Sequence, residues 1–114
     1  MNLKTSLVEG IPTARIQHPS DIEGMELIDV RGPDEFTGEL GHIKGSVLKT
    51  LGPELENYLQ IADKKKSILF ICRSGARSAR ATAYALQLGF NEVYNMEGGM
   101  LNWNANGFEV TYKD

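Results

Sequence analysis

The chain contains a single cysteine, and the residues around it hold most of its chemical potential. In "FICRSGARSAR", residues 70–80, Cys72 is followed by Arg73, Ser74, Gly75, Ala76, Arg77 and Ser78. A thiol attacks as its thiolate, and positive potential can lower its pKa from about 8.5 toward about 3.5–7.5. Three sources of such potential converge here. Backbone N–H groups of a loop and of a first helical turn have no intrahelical acceptors and can face an anion. A helix N-terminus adds roughly half a positive charge, and Arg73 and Arg77 carry full ones. Gly75 permits a tight bend and a close backbone approach. A free cysteine is otherwise often a small buried hydrophobe. Two arginines within five residues are costly to desolvate in a core, so the flanking charges favour a nucleophile.

Loop length separates the candidate chemistries. Cysteine phosphatases use Cys-x5-Arg, a ring of amides wide enough for a tetrahedral phosphate. This chain has Cys-x4-Arg, from Cys72 to Arg77, which shortens the ring by about 3.8 Å of Cα contour. The shorter ring leaves room for one additional sulfur on the cysteine but not for a phosphoryl group. The expected intermediate is a cysteine persulfide. With no second thiol to resolve it internally, the sulfur must leave to an external acceptor.

The elements that must position this loop can be read from the apolar runs. "MELIDV" (25–30), "SILFIC" (67–72) and "NEVYNM" (91–96) read as strands, the first two continuous enough to be buried on both faces. Ala14-Arg15-Ile16 reads as an edge piece. "GPELENYLQIA" (52–62) places Leu55, Tyr58, Leu59 and Ala62 on one helical face. "SARATAYALQLG" (78–89) reads as a helix with Ala79, Ala83 and Leu86 on its stripe and Gly89 as its stop. Alternating strands and helices predict an α/β class with parallel pairing. The crevice of such sheets lies at the carboxyl ends of the strands, where both Cys72 and Asp29-Val30-Arg31 fall.

The bulk properties fit one domain over residues 1–114. Hydrophobic content is 41%, charged content 24% and net charge −3, which disfavours a broad nucleic-acid surface. A single cysteine rules out an internal disulfide. No apolar run has the length of a signal peptide or a membrane span, so the expected setting is the cytoplasm, without membrane attachment. Asp63-Lys64-Lys65-Lys66 reads as a solvated turn. Two histidines and one cysteine make a metal site unexpected, and nothing demands more than a monomer.

Three segments, in order, resemble the single-domain rhodanese family: "LIDVRGPDEFTGELGHIKGSV" (27–47), "CRSGARS" (72–78) and "LGFNEVYNMEGGMLNW" (88–103). The resemblance implies a rhodanese-like α/β fold, a five-stranded, mainly parallel sheet with helices on both faces. It also implies a sulfurtransferase. A small anionic donor such as thiosulfate, or a persulfide carried by a sulfur-relay protein, would load Cys72; cyanide or a thiol would unload it. No metal or organic cofactor is implied beyond the transient persulfide. A phosphatase or arsenate reductase on the same fold, and a non-catalytic interaction module, are the competing readings.

Several supporting residues carry two readings each. Arg77 either faces a donor's sulfonate or braces the loop through Asp29 or Glu35, with bracing preferred. Arg73 either meets an anionic substrate or is solvated. Ser74 either bonds the persulfide or satisfies loop backbone. Arg31 is a substrate clamp or, preferably, half of an ion pair with Asp34 or Glu35. His42 is a general base or, preferably, a turn-fixing hydrogen-bonding group. Trp103 belongs to the core or a pocket wall. Gly98-Gly99 allow a tight entry into the last helix. Lys44 stands where the family usually has proline; it is either solvated or an attractor of anionic donors.

Overall fold

The computed structural model describes residues 3–113. Six strands form one sheet: β1 (Lys4–Val8), β2 (Ile11–Arg15), β3 (Glu26–Asp29), β4 (Val47–Leu48), β5 (Ser67–Ile71) and β6 (Glu92–Met96). Their order is β1-β2-β6-β5-β3-β4. Only the β1–β2 hairpin is antiparallel; β2–β6, β6–β5, β5–β3 and β3–β4 all pair in parallel. Helices α1 (Pro33–Phe36), α2 (Pro53–Ile61), α3 (Ala76–Gln87) and α4 (Gly99–Ala105) lie between or after the strands. Among the described residues, no helix is long and apolar enough to cross a membrane.

The α/β class and the parallel sheet agree with the sequence, but the strand count does not. Five strands were expected and six are present, because β1 adds an antiparallel edge strand beyond β2. Ala14 and Arg15 therefore lie in an interior strand rather than at an edge. All five β1 residues are solvent-exposed, so no buried face marks this strand in the hydropathy pattern. The two-residue β4 is too short to leave a periodic signal.

The core divides by residue parity, as a sheet covered on both faces requires. On β5, Ile68 and Phe70 join Leu55 and Leu59 of α2 and Ala81 and Ala85 of α3. The alternate residues Leu69 and Ile71 face Met100 and Trp103 of α4 on the opposite side. Burying a side chain such as Phe70 stabilises by roughly 1.5–3 kcal/mol. Trp103 is a core residue, and its indole N–H donates to the Glu109 carbonyl at 3.0 Å. Cys72 continues the even-numbered series and points to the α3 side of the sheet.

The buried stripe of α3 differs from the one expected. Ser78, Ala81, Thr82 and Ala85 are buried, whereas Ala79, Ala83 and Leu86 are only partly so. Hydropathy places the stripe about one residue off because two of its true members are hydroxyl residues. Both are satisfied internally: the Thr82 hydroxyl donates to the Ser78 carbonyl at 2.7 Å, and Ser78 is bonded at the site described below. The lysine-rich turn after α2 has a structural use. Lys64 Nζ donates to the carbonyls of Leu59, Gln60 and Ala62 and so caps the helix's negative end.

Candidate active site

Strand β5 delivers Cys72 to the carboxyl edge of the sheet, and the chain then turns at Gly75, where φ is +111°. That angle belongs to the left-handed region that a residue with a Cβ adopts only at a cost. Helix α3 begins at Ala76, two residues earlier than expected. Arg77 and Ser78 therefore lie in its first turn, and the loop proper is Arg73-Ser74-Gly75. The shift matters for the chemistry, since it brings the Ser78 hydroxyl and N–H toward the sulfur.

Cys72 Sγ is buried and accepts a hydrogen bond from the Gly75 N–H at 3.0 Å. The Ser78 Oγ lies 3.2 Å from it. Burial pushes the thiol pKa up. Hydrogen bonds from the Ser78 hydroxyl and N–H, and from the Gly75 and Ser74 N–H groups, outweigh that effect and leave it below the ordinary thiol value. Activation thus comes chiefly from donors at the helix terminus. Arg73 is exposed and makes no ion pair among the described residues. The hydrogen bonds, more than the charges of the two arginines, lower the pKa.

The loop amides point inward because its carbonyls are held outward. The Met100 N–H donates to the Cys72 carbonyl at 2.9 Å, and the Leu101 N–H to the Arg73 carbonyl at 3.0 Å. Helix α4 can approach this closely only through Gly99. A Cβ there would lie 2.5 Å from both carbonyl oxygens, and its φ is +58°. A Gly99→Ala protein is therefore expected to lose about 1–3 kcal/mol of stability and to displace the loop. Denaturation midpoints and thiol alkylation rates should both change; an unaltered alkylation rate would mean the loop does not depend on this contact.

Arg77 braces the loop rather than reaching into it. Its guanidinium donates to both Glu35 oxygens, at 2.8 and 2.9 Å. Glu35 Oε1 also accepts the Gly32 N–H at the start of α1. The Arg77 hydrogen bonds hold the Glu35 carboxyl down at about 2. A depressed carboxylate stabilises the fold above its unfolded value of about 4.5 and loses that contribution as pH falls toward 2. Both side chains are about a third exposed, so solvent screening leaves on the order of 1 kcal/mol. Urea titrations of wild type and Glu35→Gln should differ by that amount at neutral pH and converge near pH 2.

Asp29 and Arg31 do not contact this brace but pair with each other. Arg31 is 1% exposed and bonds both Asp29 oxygens through Nε and Nη2, at 2.8–3.2 Å. The expected partners of Arg31, Asp34 and Glu35, are thus replaced by Asp29. The reason is local: two residues apart at a strand end, the side chains fold back on one another, and the Asp29 carboxylate also accepts the Arg31 N–H. Arg31 Nη2 further donates to the Gly41 carbonyl at 2.7 Å. His42 is buried, stacks on the Phe36 ring at 3.5 Å, and places Nδ1 2.6 Å from the Phe36 carbonyl. Its backbone exchanges hydrogen bonds with Thr111. These contacts tie its ring and backbone to the turn.

Lys44 is exposed beside an open cavity of about 710 Å³ that is lined by Phe36, His42, Val47 and Lys113 among others. No residue of the Cys72 loop lines that cavity, so its size does not bear on the thiol. Two residues important to the loop's geometry escaped the sequence reading. Gly99 was seen only as a turn former. Asn95, buried on β6, donates from Nδ2 to the Gly75 carbonyl at 3.0 Å and lies 2.5 Å from Ser78 Oγ. An asparagine inside a buried strand is the available signal, because strands are depleted in that residue.

Comparisons with known proteins agree with this geometry. A family model for the Rhodanese-like domain matches residues 13–106. The thiosulfate sulfurtransferase GlpE of Pseudomonas aeruginosa is 32% identical over 82 residues, which cover 72% of each chain. A sulfurtransferase from Allochromatium vinosum is 31% identical over 99 residues, covering 82% of this chain and 85% of that one. A rhodanese-related protein from Thermoplasma volcanium superposes with a TM-score of 0.73 at 32% identity, over 82% of this chain and 90% of that one.

Proposed function

Because this chain belongs to the rhodanese-like domain family, we propose that it is a sulfurtransferase working through a persulfide on Cys72. The observation that carries the reading is a buried thiol facing the N–H groups of a loop only four residues from Cys72 to Arg77. The Cys72 thiolate attacks the outer sulfur of thiosulfate or of another sulfane donor. The donor's S–S bond breaks, sulfite from thiosulfate or a thiolate from a persulfide leaves with the electron pair, and the outer sulfur remains as Cys72–S–S⁻. Cyanide or a thiolate then attacks that sulfur, giving thiocyanate or a new persulfide and restoring the Cys72 thiolate.

The roles follow from the geometry. N–H groups of Ser74, Gly75 and Ser78 steady charge on sulfur, while the first-turn N–H groups of Ala76 and Arg77 lack intrahelical acceptors and can receive the terminal sulfur. Arg73, unpaired and adjacent, attracts the anionic donor. Arg77 and Glu35 hold the loop's shape, and Asp29, Arg31 and His42 support the ground beneath it. No metal or organic cofactor takes part in these steps. One chain supplies every residue named, so the activity is assigned to a monomer. A protein-borne persulfide is a suitable donor and a protein thiol a suitable acceptor, and a reduced Cys72 suits the cytoplasm as the setting. Nucleic acid and membrane have no part in it.

Intact mass spectrometry tests the reading. Incubation with thiosulfate should add one sulfur atom, and cyanide should remove it as thiocyanate. An unchanged mass with every sulfane donor tried would favour a binding module. Cys72-dependent turnover of an aryl phosphate would favour phosphoryl transfer.

A further inference from the structure

Ser78 has one hydroxyl proton and two acceptors for it. Cys72 Sγ lies 3.2 Å from Ser78 Oγ, and Asn95 Oδ1 lies 2.5 Å from it. The amide cannot turn to relieve the competition. Its Nδ2 donates to the Gly75 carbonyl at 3.0 Å, and reversing the amide would set oxygen against oxygen there. Ser78, Cys72 and Asn95 are all buried, so water is a poor substitute for a lost partner.

We propose that Asn95 is a positioning residue that competes with the empty thiolate for the Ser78 proton and so favours the sulfur-loaded enzyme, an inference that rests on the persulfide reading above. In the thiol form, Cys72 S–H donates to Ser78 Oγ and Ser78 O–H donates to Asn95. When the thiol loses its proton, Ser78 must turn its hydrogen to the sulfur. Asn95 Oδ1 then faces a serine lone pair at close range. In the persulfide, the negative charge resides on the terminal sulfur and Cys72 Sγ is uncharged. The Ser78 proton returns to Asn95, and the network is satisfied again. The Ser78–Asn95 bond therefore exists in the thiol and persulfide forms and is broken only in the thiolate. It opposes ionisation of the empty site and leaves the loaded one unaffected.

The other charges near the sulfur, exposed Arg73 beside Cys72 among them, are the same in wild type and in Asn95→Leu. Arg77 from α3 is held by Glu35 of α1, Asp29 and Arg31 at the end of β3 hold each other, and Glu97 after β6 pairs with Arg15. None of them changes in the variants below.

Thiol pKa values, read from ultraviolet thiolate absorbance against pH, provide the test. Asn95→Leu should lower the Cys72 pKa by about one unit, roughly a tenfold rise in thiolate below it. Asn95→Asp should raise it, because a carboxylate accepts the Ser78 proton more strongly and also places a like charge near the thiolate. Both variants lose the bond to Gly75, whose carbonyl keeps the Ala79 N–H at 3.1 Å, and it is the Ser78→Ala background that separates competition for the proton from loss of that bond. In a Ser78→Ala background, Asn95→Leu should leave the pKa unchanged. A raised or unaltered pKa in Asn95→Leu, or an equal effect with and without Ser78, would overturn the inference. Should the leucine variant not fold, Asn95→Ala offers the same comparison. The measurement needs no turnover, so failure of thiosulfate to load wild type would count against the sulfurtransferase reading and not against the relay.

Discussion

A Cys72→Ser protein is expected to fold normally and to lose sulfur transfer by roughly 10⁴-fold or more, the scale on which enzymes lose activity with their nucleophile. The physical reason lies in what the loop offers. Against burial, the Ser78 hydroxyl and the N–H groups of Ser78, Gly75 and Ser74 bring a thiol below its ordinary pKa. The same donors cannot ionise an alcohol near neutral pH, and oxygen is a poor nucleophile toward sulfane sulfur. Serine is smaller than cysteine and fills the same buried place, so circular dichroism and the unfolding midpoint should hardly move. Thiocyanate formation from thiosulfate and cyanide is the measurement. Substantial turnover by the serine variant would remove Cys72 from the mechanism.

The largest effect on stability is expected at Asp29. Its carboxylate takes the Arg31 backbone N–H and both guanidinium contacts within a site where the two side chains are 0% and 1% exposed. An Asp29→Ala change leaves a buried guanidinium without its counter-charge, which costs about 3–5 kcal/mol. The consequence should spread beyond β3. Arg31 also holds the Gly41 carbonyl, and the Arg31 carbonyl accepts the Thr50 hydroxyl at 2.8 Å. Urea denaturation should show a lower midpoint with an unchanged slope. A loss below about 1 kcal/mol would mean that Arg31 escapes to solvent when freed. Replacing both partners with apolar residues of similar size should recover much of the loss, since desolvation of the pair offsets most of its attraction.

Much of the architecture is legible from residues 25–30, 67–72 and 91–96. Short continuous apolar runs bounded by turns suit strands covered on both sides, as β3 and β5 are, and the third segment forms the strand β6 beside them. Strand β1 was not legible, because Leu7 and Val8 are exposed and pairing with β2 supplies only backbone hydrogen bonds. The α3 stripe was misplaced because Ser78 and Thr82 are buried by virtue of hydrogen bonds rather than hydrophobicity. In each case the missing information was a hydrogen-bonding partner, which hydropathy does not record.

The same division runs through the site. A lone cysteine at a strand end, separated from Arg77 by four residues that include a glycine, determines by itself that a short amide-lined loop meets a helix terminus. Spacing is a property of the chain, and it sets the ring's size before any folding occurs. Which groups tune the sulfur was decided only in three dimensions. Arg77 turns to Glu35, 42 residues away, Arg31 turns to Asp29, and Asn95 and Gly99 arrive from other elements to hold the loop from behind. Charges and hydrogen-bond donors choose partners by distance and burial, and sequence separation constrains neither.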